Sequence, residues 1–329
     1  MPQFSIAIPV YNRGKYLRHA LRSCFAQTIT DFEIVVSDDC SSDDLQSVIN
    51  EFSDPRIKYS RSAVRLGAAK NHQRAVELSS GNYVLNLHSD DFLLPNCLEE
   101  AGKALDKQPS AAAVYFANAY LRNMHVEGAS LMPGVLFASA ASIQDNPWLE
   151  RFYGTCPSAC LFRRANFDGI GGYNTALRFA YDWYLYRRFL KNGGGVIFLP
   201  KILSVYRQHE EQCVQTSVLS AVCDMMDLWR LEENRRWPAP EIAALVIAEC
   251  RASWRAGKGT AGIIKVFNEV WIRALVLRVL SGVPGAVLQK LRSRFWGDPN
   301  GDQSYYIEPD NLSDALESGN AFVRINDAA

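Results

Sequence analysis

Gly81-Asn82-Tyr83-Val84-Leu85-Asn86-Leu87-His88-Ser89-Asp90-Asp91 is the stretch on which the fold turns. It reads as a short, mostly apolar strand that runs straight into two adjacent carboxylates, with a loop marked by Pro95 behind them. Like charges side by side disfavour each other's ionised form unless something positive faces them. A hard divalent cation is one such partner, because it takes one or two carboxylates together with substrate phosphates. An isolated Asp-Asp pair is also what an exposed turn looks like. The neighbouring chain has to decide.

Upstream, the same pattern occurs again. Phe32-Glu33-Ile34-Val35-Val36-Ser37 is a strand that ends in Asp38-Asp39. Before it, Phe4 to Val10 is an apolar run that gives way to Tyr11-Asn12, and Tyr16, Leu17, Ala20, Leu21 and Cys24 then fall at helical spacing. After it come Asp43 as a helix cap, a helix over 45–52, a strand at 57–59, a helix over 68–79, the strand at 83–87, a helix over 97–106 and a strand at 112–117. Strands alternating with helices of this length predict an α/β fold with a mainly parallel sheet. In such sheets ligands bind beyond the carboxyl ends of the strands, where Asp38, Asp39, Asp90 and Asp91 all fall. No Gly-x-Gly-x-x-Gly and no Gly-Lys-Ser/Thr loop follows the first strand, so phosphate here is expected to be held through a metal.

The 329 residues suffice for a large α/β domain with an appendage, and an apolar share of 48% supports a sizeable core. A formal net charge of zero argues against a general nucleic-acid binder. Eight cysteines are scattered without a Cys-x-x-Cys pair, which suits free thiols in a reducing compartment better than a zinc site. The N-terminus lacks the basic and apolar regions of a signal peptide, and no run reaches the ~20 apolar residues of a membrane span. A cytoplasmic protein, at most peripheral at the inner face of the membrane, is expected.

Seven blocks in order resemble the family 2 glycosyltransferases, whose GT-A fold binds nucleotide sugars. They are Ser5 to Asn12, Val36 to Asp43, Leu66 to Asn71, the strand ending His88-Ser89-Asp90-Asp91, Gly171-Gly172-Tyr173-Asn174, Tyr181-Asp182-Trp183-Tyr184 and Tyr206-Arg207-Gln208-His209. The resemblance implies an inverting transferase that moves a sugar from a nucleoside-diphosphate donor, a UDP-sugar by the lean of Asp39, to a glycan or lipid-linked glycan. It implies that Pro9, Tyr11 and Asp39 line the nucleoside pocket, and that Arg65 and Lys70 bring positive charge to the diphosphate. Asp90 matches the last acid of the family's Asp-x-Asp metal motif, with Asp91 beside it and manganese or magnesium as the ion. His88 replaces the motif's first acid, a change that favours manganese if the imidazole touches the ion and otherwise leaves it a ribose contact or a packed ring. His209 falls where relatives place a histidine near the diphosphate or metal.

Asp182 matches the second position of the family's Glu-Asp pair and is the implied general base, with Tyr181 in place of the first acid. Its aromatic neighbours Phe179, Tyr181, Trp183 and Tyr184 would raise its pKa by desolvation; alternatively Asp182 caps the helix that follows. Because His88 and Tyr181 replace expected acids, a non-catalytic nucleotide-sugar-binding or scaffold protein is the competing expectation. A nucleotidyltransferase is a third, disfavoured by the missing glycine- and lysine-rich loop.

The catalytic domain is expected over 1–214 and a helical C-terminal region with an acidic tail over 215–329. Helices are expected at 217–237, 239–256, 263–280 and 286–295. Between Arg251 and Trp296 basic residues are interleaved with Trp254, Trp271, Phe295 and Trp296, a pattern that suits either an anionic membrane surface or a solvated helical face.

Overall fold

Strand β1 (Phe4–Val10) is buried along its whole length, as a parallel strand covered on both faces must be. The computed structural model describes residues 2–122, 125–130, 137–138, 157–192 and 194–209. In chain order β1 is followed by α1 (Gly14–Phe25), β2 (Phe32–Asp38), α2 (Leu45–Asn50), β3 (Ile57–Arg61), α3 (Ala68–Glu77) and β4 (Tyr83–Asn86). Then come β5 (Phe92–Leu93), α4 (Cys97–Lys107), β6 (Ala113–Arg122), β7 (His125–Ser130) and β8 (Phe137–Ala138). After a 3-10 turn at Pro157–Ala159 the described chain continues as β9 (Cys160–Arg163), α5 (Arg164–Gly169), α6 (Tyr181–Asn192) and β10 (Val196–Gln208).

The strands form one sheet in the order β3-β2-β1-β4-β9-β6-β10-β5, with β7 beside β6 and β8 beside β10. The first four are mutually parallel. Beyond β4 the sheet is mixed: β9 runs antiparallel to both β4 and β6, β10 runs parallel to β6, and β5 runs antiparallel to β10. On α1 the buried positions Leu17, Ala20, Leu21 and Cys24 repeat at the spacing of one helical face, and they join Ile6, Ile8, Ile34 and Leu85 in the core. Each such side chain contributes about 1.5–3 kcal/mol on burial.

Every strand and helix expected as far as residue 117 is present, with ends moved by a few residues. One cap differs. Asp44, immediately before Leu45, accepts the Ser47 amide at 3.1 Å and caps α2. Asp43 instead accepts the Gly14 amide at 3.1 Å, at the start of α1. A cap has to precede the first helical residue directly, and Asp44 occupies that place.

Apart from 178–180, the described residues form one compact unit. The four helices expected after residue 215, the basic and aromatic stretch 251–296 and the acidic tail lie outside the described residues. No helix among the described residues is long and apolar enough to cross a membrane.

Candidate active site

At the carboxyl ends of β1 and β2 the chain turns through two left-handed residues, Asn12 (φ 49°) and Cys40 (φ 60°). The Asn12 amide donates to Ser41 Oγ at 3.0 Å, and the Ser42 amide donates to Asn12 Oδ1 at 2.7 Å, so the two ends are clasped. Asp38, fully buried, is engaged inside this corner by the Ser41 amide at 2.9 Å and the Tyr59 hydroxyl at 2.7 Å. Asp39 accepts the Leu66 amide on Oδ1 at 2.5 Å and the Gly67 amide on Oδ2 at 3.0 Å. Gly67 has φ +89°, a backbone that costs glycine little and turns the chain into α3. Hydrogen bonds to a charged acceptor contribute about 1.5–3 kcal/mol each, so Asp39 pins the entry to α3 firmly.

The Arg65 guanidinium lies 4.0 Å above the Tyr11 ring. Tyr11, Asp39 and Arg65 therefore share one corner, with Pro9 buried in β1 beside Ser37 of β2. Lys70 stands exposed on the first turn of α3.

A second cluster forms where β4 ends. Ligand atoms of His88, Asp90 and Asp91 lie within 4.8 Å of one another. Asp91 is fully buried and both its oxygens are engaged, Oδ1 by the Arg207 amide at 2.9 Å and Oδ2 by the Ser158 hydroxyl at 2.6 Å. Ser158 Oγ in turn accepts the His88 amide at 3.0 Å. Asp90 Oδ2 sits 3.0 Å from His209 Nε2. Burial alone would raise the Asp90 pKa, but the hydrogen bond to His209 together with the charges of His88, His209 and Arg13 outweighs it and holds the carboxyl below its usual range. Burial lowers the His88 pKa against the pull of Asp90, which favours the neutral imidazole that metals bind. The sequence-expected metal residues Asp90, Asp91, His88 and His209 are thus brought together, with Asp91 braced by protein donors. Carboxylate and imidazole donors in one cluster fit a divalent ion.

Asp182 lies in the first turn of α6, which begins one residue earlier at Tyr181. Its Oδ1 accepts the Trp183 amide at 2.7 Å. It lines a narrow cavity with Tyr115, Cys160, Phe162, Tyr173 and Leu185, a mostly apolar wall. Burial there pushes its pKa up to about 7.

Helix α3 connects these groups. The amides of Leu66 and Gly67, just before its first turn, hold Asp39, and one turn on His72 packs against both remaining clusters. The His72 ring lies 5.2 Å from that of His88 and 4.9 Å from that of Tyr181, the residue before Asp182. His72 Nδ1 is 2.9 Å from the Ala68 carbonyl and donates to it, which leaves Nε2 as a buried acceptor without a hydrogen-bond partner. Burial accordingly lowers its pKa to about 3. The loop before α6 is tied to the same helix: Gln73 Oε1 accepts the Tyr173 amide at 2.8 Å, and any side chain at Gly172 would collide with Gln73.

Sequence reasoning missed His72, Ser158 and the bond from the Arg207 amide to Asp91. Arg207 stood inside a quoted block, while the other two carry no local pattern that singles them out.

The family described as Glycosyl transferase family 2 matches residues 5–171, just over half of the chain. An uncharacterized protein of Mycobacterium tuberculosis is 26% identical over 245 residues, covering 70% of this chain and 74% of that one. The chondroitin synthase of Escherichia coli is 39% identical over 131 residues, covering 39% of this chain but only 18% of the synthase. Among solved structures, Staphylococcus aureus TarS 1–349 in complex with UDP-GlcNAc aligns with a TM-score of 0.59 at 18% identity, over 96% of this chain and 91% of that one. The mannosyltransferase PcManGT of Pyrobaculum calidifontis, in complex with GDP-Man and manganese, gives 0.55 at 17% identity, over 97% and 87%. Likeness at such identities speaks for the fold alone. The family match runs from β1 through both acidic clusters to the Gly171 turn, on a sheet that superposes on glycosyltransferases of known structure: this chain belongs to glycosyl transferase family 2 and has the GT-A fold.

Proposed function

We propose that the chain moves a sugar from a nucleoside-diphosphate donor, a UDP-sugar, to a hydroxyl of a glycan or lipid-linked glycan in a single inverting displacement. The observation that carries this reading is the reach of α3, which binds Asp39 at its start and packs through His72 against His88 and Tyr181. A nucleoside corner, a cation cluster and a base thereby flank one helix. The chondroitin synthase and the UDP-GlcNAc complex of TarS are in keeping with such a donor and acceptor.

Tyr11 and Pro9 would flank the base and ribose, and Asp39, an acceptor-only group, would read a base N–H with its remaining lone pairs. Arg65 and Lys70 would meet the diphosphate. Asp90 and His209 would hold the divalent ion, with His88 adjoining and Asp91 shaping the turn from behind. When bound, the ion supplies neutralisation of charge on the departing diphosphate. Asp182 takes the proton of the attacking hydroxyl. A pKa near 7 suits that task, since a base poised near the working pH combines the right protonation state with proton affinity. The catalytic unit spans 1–214, and 215–329 is an accessory region.

Donor turnover with manganese, measured as nucleoside diphosphate released from a panel of nucleotide sugars, tests the reading. Turnover is expected in the wild type and is lost in Asp182→Asn while nucleotide binding persists. Binding without Asp182-dependent turnover would mark a scaffold, and release of pyrophosphate would mark a nucleotidyltransferase.

A further inference from the structure

Arg207, at the end of β10, is only 7% exposed, and its polar groups reach three residues, two in the acidic turn and one on α1. Its amide donates to Asp91 Oδ1 at 2.9 Å, Nε donates to the Asp90 carbonyl at 2.9 Å, and one Nη donates to His19 Nδ1 at 2.9 Å. Its guanidinium carbon also lies 5.2 Å from the Tyr16 ring centroid and 5.5 Å from that of Phe92. A guanidinium offers donors only, so the His19 nitrogen that faces it must be an acceptor, and the His19 proton is on Nε2. Tyr16 and His19 lie three apart on one face of α1, where neighbouring turns present their side chains together. The same Tyr16 ring packs 4.5 Å from the ring of His209, which bonds Asp90. One face of α1 therefore supports both the arginine under the acidic turn and the histidine opposite it.

We propose that Arg207, held in place by His19, is a positioning residue that fixes the Asp90–Asp91 turn in the shape with which Asp90 and His209 take a divalent cation. This rests on the reading of Asp90 and His209 as the cation site. Charge alone does not explain the arrangement. The Asp90 carbonyl and His19 Nδ1 need two donors at a set angle, which the planar fork of arginine provides and the single ammonium of lysine does not. Partners one step behind metal ligands typically change metal affinity by about 10- to 100-fold when removed.

The test is manganese binding to the full chain in the presence of UDP, followed by the electron paramagnetic resonance of free manganese. Arg207→Lys keeps the charge and is expected to weaken manganese binding about 10-fold or more. Excess manganese should restore its activity, so the apparent manganese KM rises while kcat at saturation stays near wild type. His19→Phe removes the acceptor and should shift affinity in the same direction by less, and His19→Asn, which returns an acceptor near the Nδ1 position, should recover most of it. Unchanged manganese affinity in Arg207→Lys and His19→Phe, whatever happens to their melting temperatures, overturns the proposal. If Arg207→Lys does not fold, the two His19 variants decide alone: equal affinity in Phe and Asn sinks it. A wild type that binds UDP but no manganese defeats the cation reading itself, whereas wild-type binding with unmoved variants defeats only the positioning role.

Discussion

The two halves of the sheet build their parts of the site in different ways. In the β3-β2-β1-β4 half, strands are parallel and come from the first four of the chain, and the contacts that shape the corner join neighbouring strand–helix units. Asn12 clasps Ser41 and Ser42, and Asp39 holds Leu66 and Gly67, separations of 27 to 30 residues. In the β9-β6-β10-β5 half, the acids of one segment meet partners more than a hundred residues away: Arg207 with Asp91, and His209 with Asp90. In the first half Asp39 accepts only amides a short way along the chain and sets its path. In the second, Asp91 takes a distant amide and the Ser158 hydroxyl, and Asp90 meets His209, so strands far apart in sequence are tied at one acidic turn. The lesson is that binding and chemistry should respond separately to substitution.

Asp182→Asn should produce the largest effect, a fall in kcat of about 10²- to 10⁴-fold, with UDP affinity by calorimetry within about twofold of wild type. Equal losses of binding and turnover would erase the division between the halves. The wild-type kcat/KM should climb with pH through an inflection near the Asp182 pKa of about 7, because only the carboxylate can take the proton. A profile flat across that region would break the assignment. The same group has a folded pKa above its unfolded value, so the stability it contributes is full below about pH 4 and is lost as pH rises through about 7. Asp182→Asn should therefore exceed wild type in stability by up to about 4 kcal/mol at pH 8 and match it at pH 4 in urea melts.

In the first half, Asp39→Ala should weaken UDP binding by about 10-fold and cost about 2 kcal/mol, since two amides at the start of α3 lose their acceptor. Loss of stability without loss of UDP affinity would make Asp39 a purely structural acid. The smallest effect concerns Glu33, buried on β2 beside Ser5 of β1. Burial would raise its pKa, but Lys58, the Ser5 hydroxyl at 2.7 Å and the Ser80 amide and hydroxyl outweigh that and bring it to about 2. Its stabilisation is present above the unfolded value of about 4.5 and is lost as pH falls through about 2. Glu33→Gln should cost about 1–2 kcal/mol at pH 7, with the gap closing near pH 2, and should leave turnover unchanged. A gap that persists in acid would point to packing in place of charge.

Most of the first half was legible without coordinates. A buried parallel strand reads as a near-continuous apolar run, and β1, β2 and β4 read that way despite Ser5, Glu33 and Asn86, each followed by its acids or turn. Helix spacing placed α1, α3 and α4 equally well. The cap on α2 was misplaced by one residue because two adjacent aspartates satisfy the same pattern, and only the direction of each side chain tells them apart. In the second half the motif residues were legible but their partners were not. Nothing in the local pattern of His19 or His72 marks it, since a histidine on a buried helix face looks alike whether it faces a leucine or an arginine.

By itself, then, the order of residues determined the alternation of strand and helix and the placing of acids at strand ends, because periodicity and hydropathy act over a few residues at a time. Which donors each of these acids meets was decided in three dimensions. Asp38 and Asp91 are chemically the same as Asp39 and Asp90, yet Tyr59 and Ser158 occupy the former pair and the Leu66 and Gly67 amides and His209 meet the latter. A carboxylate's role depends on which donors reach it, and donors from distant segments arrive only when the sheet closes.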